Sequence, residues 1–374
     1  MSENVIDLLA ALVSIDSVNP ALIAGAAGEA RIAEYVATWA RQNGLIAERL
    51  ERTPGRPSVI VRSGPGQGKT LLLCGHLDTV GIDGVRDPFT ARVDGDRLHG
   101  RGAYDMKGGL AAALITCRDA RQAGITGEVI VAAVADEEHA SLGVQEVLRY
   151  VHADAAIVTE PTELRIAIAH KGFVWTEIEV TGRAAHGSRP HLGVDAIMKT
   201  GPILCALETL RGELATRRTH PVLGSGSLHA SLITGGREEC TIPDRCLLTV
   251  ERRTLPGESL ADVEADMAQL LQGCRDADEE LNVASRTTLA RDPFETSPGE
   301  PIVQAVQHAL AGTDQEPTGV SFWADSAFIA AAGIPTVLYG PNGEGAHADV
   351  EWVSISGTIE CARTLTMTAL NFCR

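Results

Sequence analysis

The segment Thr70-Leu71-Leu72-Leu73-Cys74-Gly75-His76-Leu77-Asp78-Thr79-Val80 limits what this chain can fold into more than any other. It is an apolar run of strand length that ends in a His and an Asp two residues apart. Residues two apart on a strand share a face. His76 and Asp78 can therefore aim into one cleft, His76 as an imidazole metal ligand and Asp78 as the carboxylate behind it that orients a ligand or base. A second stretch, Gly100-Arg101-Gly102-Ala103-Tyr104-Asp105-Met106-Lys107-Gly108-Gly109, surrounds a single Asp with glycines and basic residues before an Ala-rich helix pattern begins. A carboxylate held in a tight loop has the shape needed to bridge two metal ions.

Two further runs deliver similar groups. Residues 129–135 are fully apolar, the pattern of a strand buried in a parallel sheet, and end in Asp136-Glu137-Glu138-His139. Residues 155–158 form another short buried strand, followed by Glu160 and Pro161. Three strands thus bring acidic or imidazole groups to the same end, where open α/β sheets bind their ligands. One motif misleads. Ser63-Gly64-Pro65-Gly66-Gln67-Gly68-Lys69-Thr70 looks like a phosphate-binding loop, but Ser63 stands where the first glycine is required and a strand follows Thr70. Without a helix N-terminus behind it, a glycine-rich turn is the better reading.

At 374 residues the chain is long for one domain and comfortable for two. Its net charge of -17 disfavours nucleic acid and anionic membranes as partners. The start, Met1-Ser2-Glu3-Asn4, lacks the pattern of a signal peptide, and no apolar run approaches bilayer length, so a cytoplasmic protein is expected. Eight cysteines without a Cys-x-x-Cys pair argue against a disulfide framework and a Cys-zinc site.

Helix patterns are expected over 5–13, 29–43, 110–123 and 141–151, and strands over 45–50 and 58–62. From about Lys171 the character changes: residues 173–180 alternate as in a half-exposed strand, Val174, Thr176, Ile178 and Val180 against Trp175, Glu177 and Glu179. A helix over 194–213, strands over 229–234 and 245–252, a helix over 260–272 and a strand over 281–289 complete a β-α-β-β-α-β order, that of a ferredoxin-like domain. After Asp292-Pro293 the α/β pattern returns, with helices over 301–311 and 324–332, a buried strand over 335–339, a loop carrying His347 and a last helix from Ile355. The expected architecture is a discontinuous α/β domain, 1–172 with 291–374, built on a mostly parallel mixed sheet and interrupted by an α+β insertion, 173–290.

Taken together, Gly75-His76-Leu77-Asp78, Gly100-Arg101-Gly102 with Asp105-Met106-Lys107-Gly108-Gly109, Glu137-Glu138, Glu160, Ala185-His186-Gly187-Ser188-Arg189-Pro190, Arg253-Thr254-Leu255-Pro256-Gly257 and Ala346-His347-Ala348-Asp349 follow the order of one family. The chain resembles the co-catalytic di-zinc amidohydrolases and metallopeptidases that include acetylornithine deacetylase, succinyl-diaminopimelate desuccinylase, aminoacylase and bacterial glutamate carboxypeptidase. The resemblance covers nearly the whole chain and implies an α/β/α catalytic domain with a lid and dimerisation domain inserted. It implies that Asp105 bridges two divalent ions, with His76 and Glu160 completing one and Glu138 and His347 the other. Hard oxygens with imidazole and no thiolate suit zinc, and also cobalt or manganese; the family favours zinc. Glu137 matches the general base of the bridging water, and Asp78 the residue that hydrogen-bonds the far nitrogen of His76. His186 matches an oxyanion-stabilising His that reaches the partner subunit's site in a homodimer, and Arg253 the residue that pairs with the substrate carboxylate. The chain departs from many members in carrying Cys240 for an Asn, and Glu251 for an Asp.

The expected activity is hydrolysis of the amide of an N-acyl-amino acid, of deacetylase or desuccinylase type, by attack of a metal-bridging hydroxide. Dipeptide or acyl-glutamate cleavage is the alternative on the same scaffold, because the pocket rather than the metal site selects the acyl and amine groups. A non-catalytic binder of small molecules is a third reading, against which the intact Glu137 speaks. His99, His139, His152, His170, His191, His220, His229 and His308 are read as structural or exposed.

Overall fold

The computed structural model describes residues 4–64, 66–310 and 315–374. They divide into two compact units: Met1–Ile168 with Thr296–Thr318 and Ala324–Arg374, and Ala169–Glu295 with Gly319–Trp323.

The first unit is built on a mixed sheet whose middle is parallel. Thr70–His76 lies between Glu128–Val134 and Ala155–Val158, parallel to both, and Thr336–Leu338 continues parallel to Ala155–Val158. Ile46–Leu50 and Ser58–Arg62 extend one side antiparallel, and Ala167–His170 joins on the other. His76 stands opposite Val134, and Cys74 opposite Val158. The residues that follow these positions therefore leave the sheet at one edge, which is how one register brings His76, Glu137, Glu138 and Glu160 together. The three middle strands carry almost no polar side chains because both faces are covered. Leu71, Leu73, Val129, Val131 and Ile157 are fully or nearly fully buried, packed with residues of the helices Val5–Val13, Ala30–Gln42, Gly108–Ala123 and Ile355–Phe372. Each such side chain contributes about 1.5–3 kcal/mol by leaving water. Asn4 caps the first of these helices by accepting from the amides of Ile6 and Asp7, and Ser354 caps the last by accepting from Gly357. At Gly109 only a hydrogen fits, since a Cβ there would overlap the carbonyl oxygen of Thr159; the helix can thus approach the strand that leads to Glu160.

A second sheet of this unit was not legible in the sequence. Gly343–Glu344, Trp352–Ser354, Arg97–His99 and Arg92–Asp94 pair antiparallel, in strands of two or three residues, too short to show a period. The segment read as a helix over 141–151 is helical only over Leu142–Val147, and the helix read over 301–311 spans Pro301–Ala309, with Ala311 outside the described residues. The loop before Thr70 leads into a strand, as its composition required, with Pro65 outside the described residues.

The second unit holds an antiparallel sheet in the order Ser227–Gly235, Arg245–Thr254, Gly172–Thr181, Asn282–Arg291. In chain order these are the second, third, first and fourth long strands, the ferredoxin-like arrangement. Ile178, Val180, Leu248 and Val250 meet Ile203, Leu207, Met267 and Leu271 of the helices Ala196–Arg217 and Leu260–Ala277 in a separate core. Ser259 and Asp262 form a reciprocal capping box at the second helix. The cuts fall a few residues from 172/173 and 290/291, and Gly319–Trp323, expected in the first domain, belongs to the second unit. Trp323 packs edge-on against His170 and Phe173, which a sequence pattern does not reveal.

Candidate active site

The geometry starts from the loop before Gly108. Gly102 has φ 79, a conformation natural to glycine, and the wide turn Ala103–Lys107 is interrupted at Asp105, whose φ of -114 and ψ of 96 are extended. The Asp105 carboxylate consequently leaves the helix direction. Its Oδ1 lies 3.1 Å from His76 Nε2, and its Oδ2 lies 3.3 Å from His347 Nε2. His76 Nε2 is also 3.8 Å from Glu160 Oε1, and His347 Nε2 is 3.1 Å from Glu138 Oε2. One carboxylate thus faces two imidazoles, each with a further carboxylate beside it. Donor atoms of His76, Glu137 and Glu160 lie within 4.8 Å of one another, as do those of His76, Asp105 and Glu138.

His76 is 1% exposed, and its Nδ1 is 2.8 Å from the main-chain carbonyl of Asp78. A carbonyl only accepts, so Nδ1 carries a proton and Nε2 is the nitrogen turned to Asp105 and Glu160. This corrects one expectation. The Asp78 carboxylate is not the partner of His76 Nδ1, from which its Oδ1 is 3.8 Å away. It accepts instead from the amides of Glu137 (3.1 Å) and Glu138 (3.2 Å) and from Asn19 Nδ2 (2.7 Å). Asp78 orients the acidic pair, and its carbonyl orients the imidazole.

Asn19 also donates to Asp136 Oδ1 at 3.1 Å, and Arg56 spans Asp136 and Glu29 with bonds of 2.6–2.8 Å. Asp136 has φ 68 and His347 has φ 62, backbone states in which most residues are strained and which persist where surroundings hold them. Neither Asn19 nor Arg56 was singled out by sequence reasoning. Their partners are 27 to 117 residues away in the chain, and no local pattern marks them.

Charge is poorly balanced at this cluster. Burial works against a charged His76, but its hydrogen bond to Asp105 and the charges of Glu160 and Glu137 outweigh it and raise its pKa well above the usual imidazole value. Hydrogen bonds to Asp105 and Glu138 push His347 up to about 10, although 55% of its side chain is exposed and water screens part of the effect. Burial, reinforced by neighbouring carboxylates, raises Glu137 and Glu160 well above the carboxylate range. Burial opposes ionisation of Asp105 as well, yet the hydrogen bonds with His347 and His76 hold it below that range. Glu138 Oε1 is buried with no hydrogen-bond partner among the described residues. Buried carboxylates at this density want cations, and four carboxylates, Asp105, Glu137, Glu138 and Glu160, match the charge of two divalent ions. The oxygen and imidazole donor set fits such ions.

The other two matched residues lie in the second unit. His186 sits in a two-residue strand, Ala185–His186, paired with Thr241–Ile242. It is exposed, with Nδ1 2.8 Å from Ser188 Oγ. The Arg253 guanidinium donates to Glu251 Oε1 at 2.7 Å and lies 5.2 Å over the Phe173 ring. Glu251 also accepts from Trp175 Nε1 at 2.7 Å, so it pins Arg253 and Trp175 together.

Known proteins carry the same architecture. A metallo-carboxypeptidase of Sulfolobus solfataricus from the M20 family superposes with a TM-score of 0.80 at 19% identity, over 99% of both chains. A dinuclear metal-binding M20 peptidase of Bacillus subtilis superposes with 0.75 at 17% identity, over 99% of this chain and 97% of the other. In sequence, the acetylornithine deacetylase of Proteus mirabilis is 32% identical over 349 residues, 90% of this chain and 89% of its own. The model of peptidase family M20/M25/M40 matches residues 72–371, from the strand that ends in His76 to the last helix. On that match the chain belongs to the M20/M25/M40 family and is a metallo-hydrolase.

Proposed function

We propose that this protein hydrolyses the amide bond of N-acyl-amino acids, with the acetylornithine deacetylase and desuccinylase type as its nearest kind, using two divalent ions of which zinc is the first choice. The observation that carries the reading is Asp105, whose two oxygens stand 3.1 and 3.3 Å from the nitrogens of two different imidazoles. In this reading Asp105 bridges, His76 and Glu160 hold one ion, and Glu138 and His347 hold the other. Bound there, such ions supply Lewis-acid activation of water and of the scissile carbonyl.

The chain's own groups do the rest. Glu137 takes the proton from the attacking water and returns it to the leaving nitrogen; its backbone is fixed through its amide bond to Asp78, 3.1 Å long. Arg253, held by Glu251 and Phe173, receives the substrate carboxylate, and His186 stabilises the oxyanion. The likeness to acetylornithine deacetylases supports the N-acyl-amino acid class. A homodimer through the second unit is part of the proposal. Ser227–Gly235 is an edge strand, with Leu232 68% and Ile233 55% exposed, and Met198 on the helix Ala196–Arg217 is 73% exposed; an unpaired edge with apolar side chains is a template for a second chain. A cytoplasmic setting fits this reading.

The test is hydrolysis of a panel of N-acetyl, N-succinyl and N-formyl amino acids and dipeptides by protein supplied with zinc or cobalt. Chelator-sensitive cleavage of one acyl class is the expected result. Cleavage of dipeptides alone moves the assignment to a peptidase, and no cleavage by metal-loaded protein removes the hydrolase reading of the substrate class.

A further inference from the structure

The loop that carries Asp105 is wound around a carboxylate that no motif singled out. Glu351 is 4% exposed. Its Oε2 accepts from Arg101 Nη1 at 2.8 Å and from the Gly102 amide at 2.9 Å, and its Oε1 accepts from the amides of Tyr104 at 2.9 Å and Asp105 at 3.0 Å. The extended backbone at Asp105 takes these amides out of any helical pairing, and one anion satisfies three of them. Arg101 is itself 3% exposed and is fixed by its Nε donating to the Gly81 carbonyl at 3.0 Å.

Glu351 is four residues past His347 and one before Trp352, whose strand pairs with Arg97–His99 just ahead of the Asp105 loop. The main chain adds a bond from the Gly100 amide to the Glu351 carbonyl, 3.3 Å long. The segment bearing His347 and the loop bearing Asp105 are therefore tied at one side chain. We propose that Glu351 is a positioning residue that sets the spacing between Asp105 and His347 and thereby the affinity of the metal pair. The inference rests on the two-metal reading given above.

The chemistry requires a carboxylate. Four donors converge on two oxygens, and an amide side chain offers one acceptor oxygen and an NH2 group that must face two donors. Glu351→Gln keeps the volume and breaks half of the anchor. Glu351→Asp keeps the charge and withdraws it by one methylene. If Glu351 only fills a buried space, either change lowers stability and leaves metal uptake alone.

The experiment is titration of metal-stripped protein with cobalt, followed through its ligand-field absorption, with melting of the metal-free proteins as the folding control. Wild type is expected to take up two equivalents. Glu351→Gln is expected to hold at least one equivalent about 10–100-fold more weakly, with an altered absorption spectrum, and Glu351→Asp to fall between. Where Glu351→Gln yields no folded protein, Glu351→Asp carries the test. Two equivalents bound by the folded variants with wild-type affinity and spectrum overturn the proposal while leaving the two-metal reading intact. A wild type that takes up no metal overturns both.

Discussion

His76 and His186 both match motifs of the family, yet one is 1% exposed and the other stands at the surface. The contrast extends to their units. In the first, the base of the cluster around Asp105 is buried, although His347 is 55% exposed, and the supports beneath it are fixed by partners that are fixed in turn: Arg56 on Asp136, Asn19 on Asp136 and Asp78, Asp78 on the amides of Glu137 and Glu138. In the second, His186 is held by Ser188, and Arg253 by Glu251 and the Phe173 ring. A site that must hold cations needs donors organised before the ions arrive. Groups that meet a changing substrate need access to it. In the proposed reading, the two units answer these separate demands.

The largest effect that would sharpen this contrast is at Glu137. Glu137→Ala should lower turnover by about 10²–10⁴-fold while metal content, measured by elemental analysis, stays at the wild-type level; a fully active variant would remove Glu137 from proton transfer. His186→Ala should follow, with a loss of about 10²–10³-fold and no change in metal content. Mixing it with Glu137→Ala protein should recover part of the activity if His186 serves a partner's site, and an unchanged mixture would confine it to its own subunit. Asn19→Ala tests the enclosed network without touching a proposed ligand. It removes a donor shared by two buried carboxylates, so denaturant unfolding of the metal-free protein should show about 1–3 kcal/mol of destabilisation. Ser188→Ala at the surface should stay within about 0.5 kcal/mol by the same measurement. Equal effects would break the contrast.

A pH dependence tests the imidazoles of the first unit directly. Both imidazoles have raised pKa values, His347 to about 10, so at neutral pH they bind protons that a metal ion must displace. Metal uptake then releases protons, and apparent affinity rises with pH, by about tenfold per unit for each proton released. The rise should persist up to about pH 10, where His347 loses its proton unaided. Chelator competition between pH 6 and 8 measures the slope, and a flat profile would mean that these groups are not ligands.

Much of this was legible in the sequence for a physical reason. Strands buried on both faces must be apolar throughout, so polar groups at their ends announce themselves; that is how His76, Glu137, Glu138 and Glu160 were found, and the structure brings them together. The alternation from Val174 to Val180 revealed a sheet with one face packed and one open. What stayed hidden depends on atoms or distant partners. Periodicity places Asp78 on the face of His76 but does not say whether its carbonyl or its carboxylate meets the ring. Asn19, Arg56 and Glu351 act on residues tens to hundreds of positions away. Trp323 joins the second unit through ring packing. Glu351 alone left a trace, as an acidic residue four places after a matched histidine.

The split of the first unit also sets an order of assembly. During synthesis, residues 169–295, which hold the core of the second unit and all of it but Gly319–Trp323, emerge before the strand Thr336–Leu338 and the segment bearing His347 and Glu351 exist. The Asp105 loop therefore spends the rest of translation without the side chain its amides bond to, and the carboxylates around it without their second imidazole. In the two-metal reading, capture of the second ion waits for the end of biosynthesis, when the last tenth of the chain closes the ring begun near residue 76.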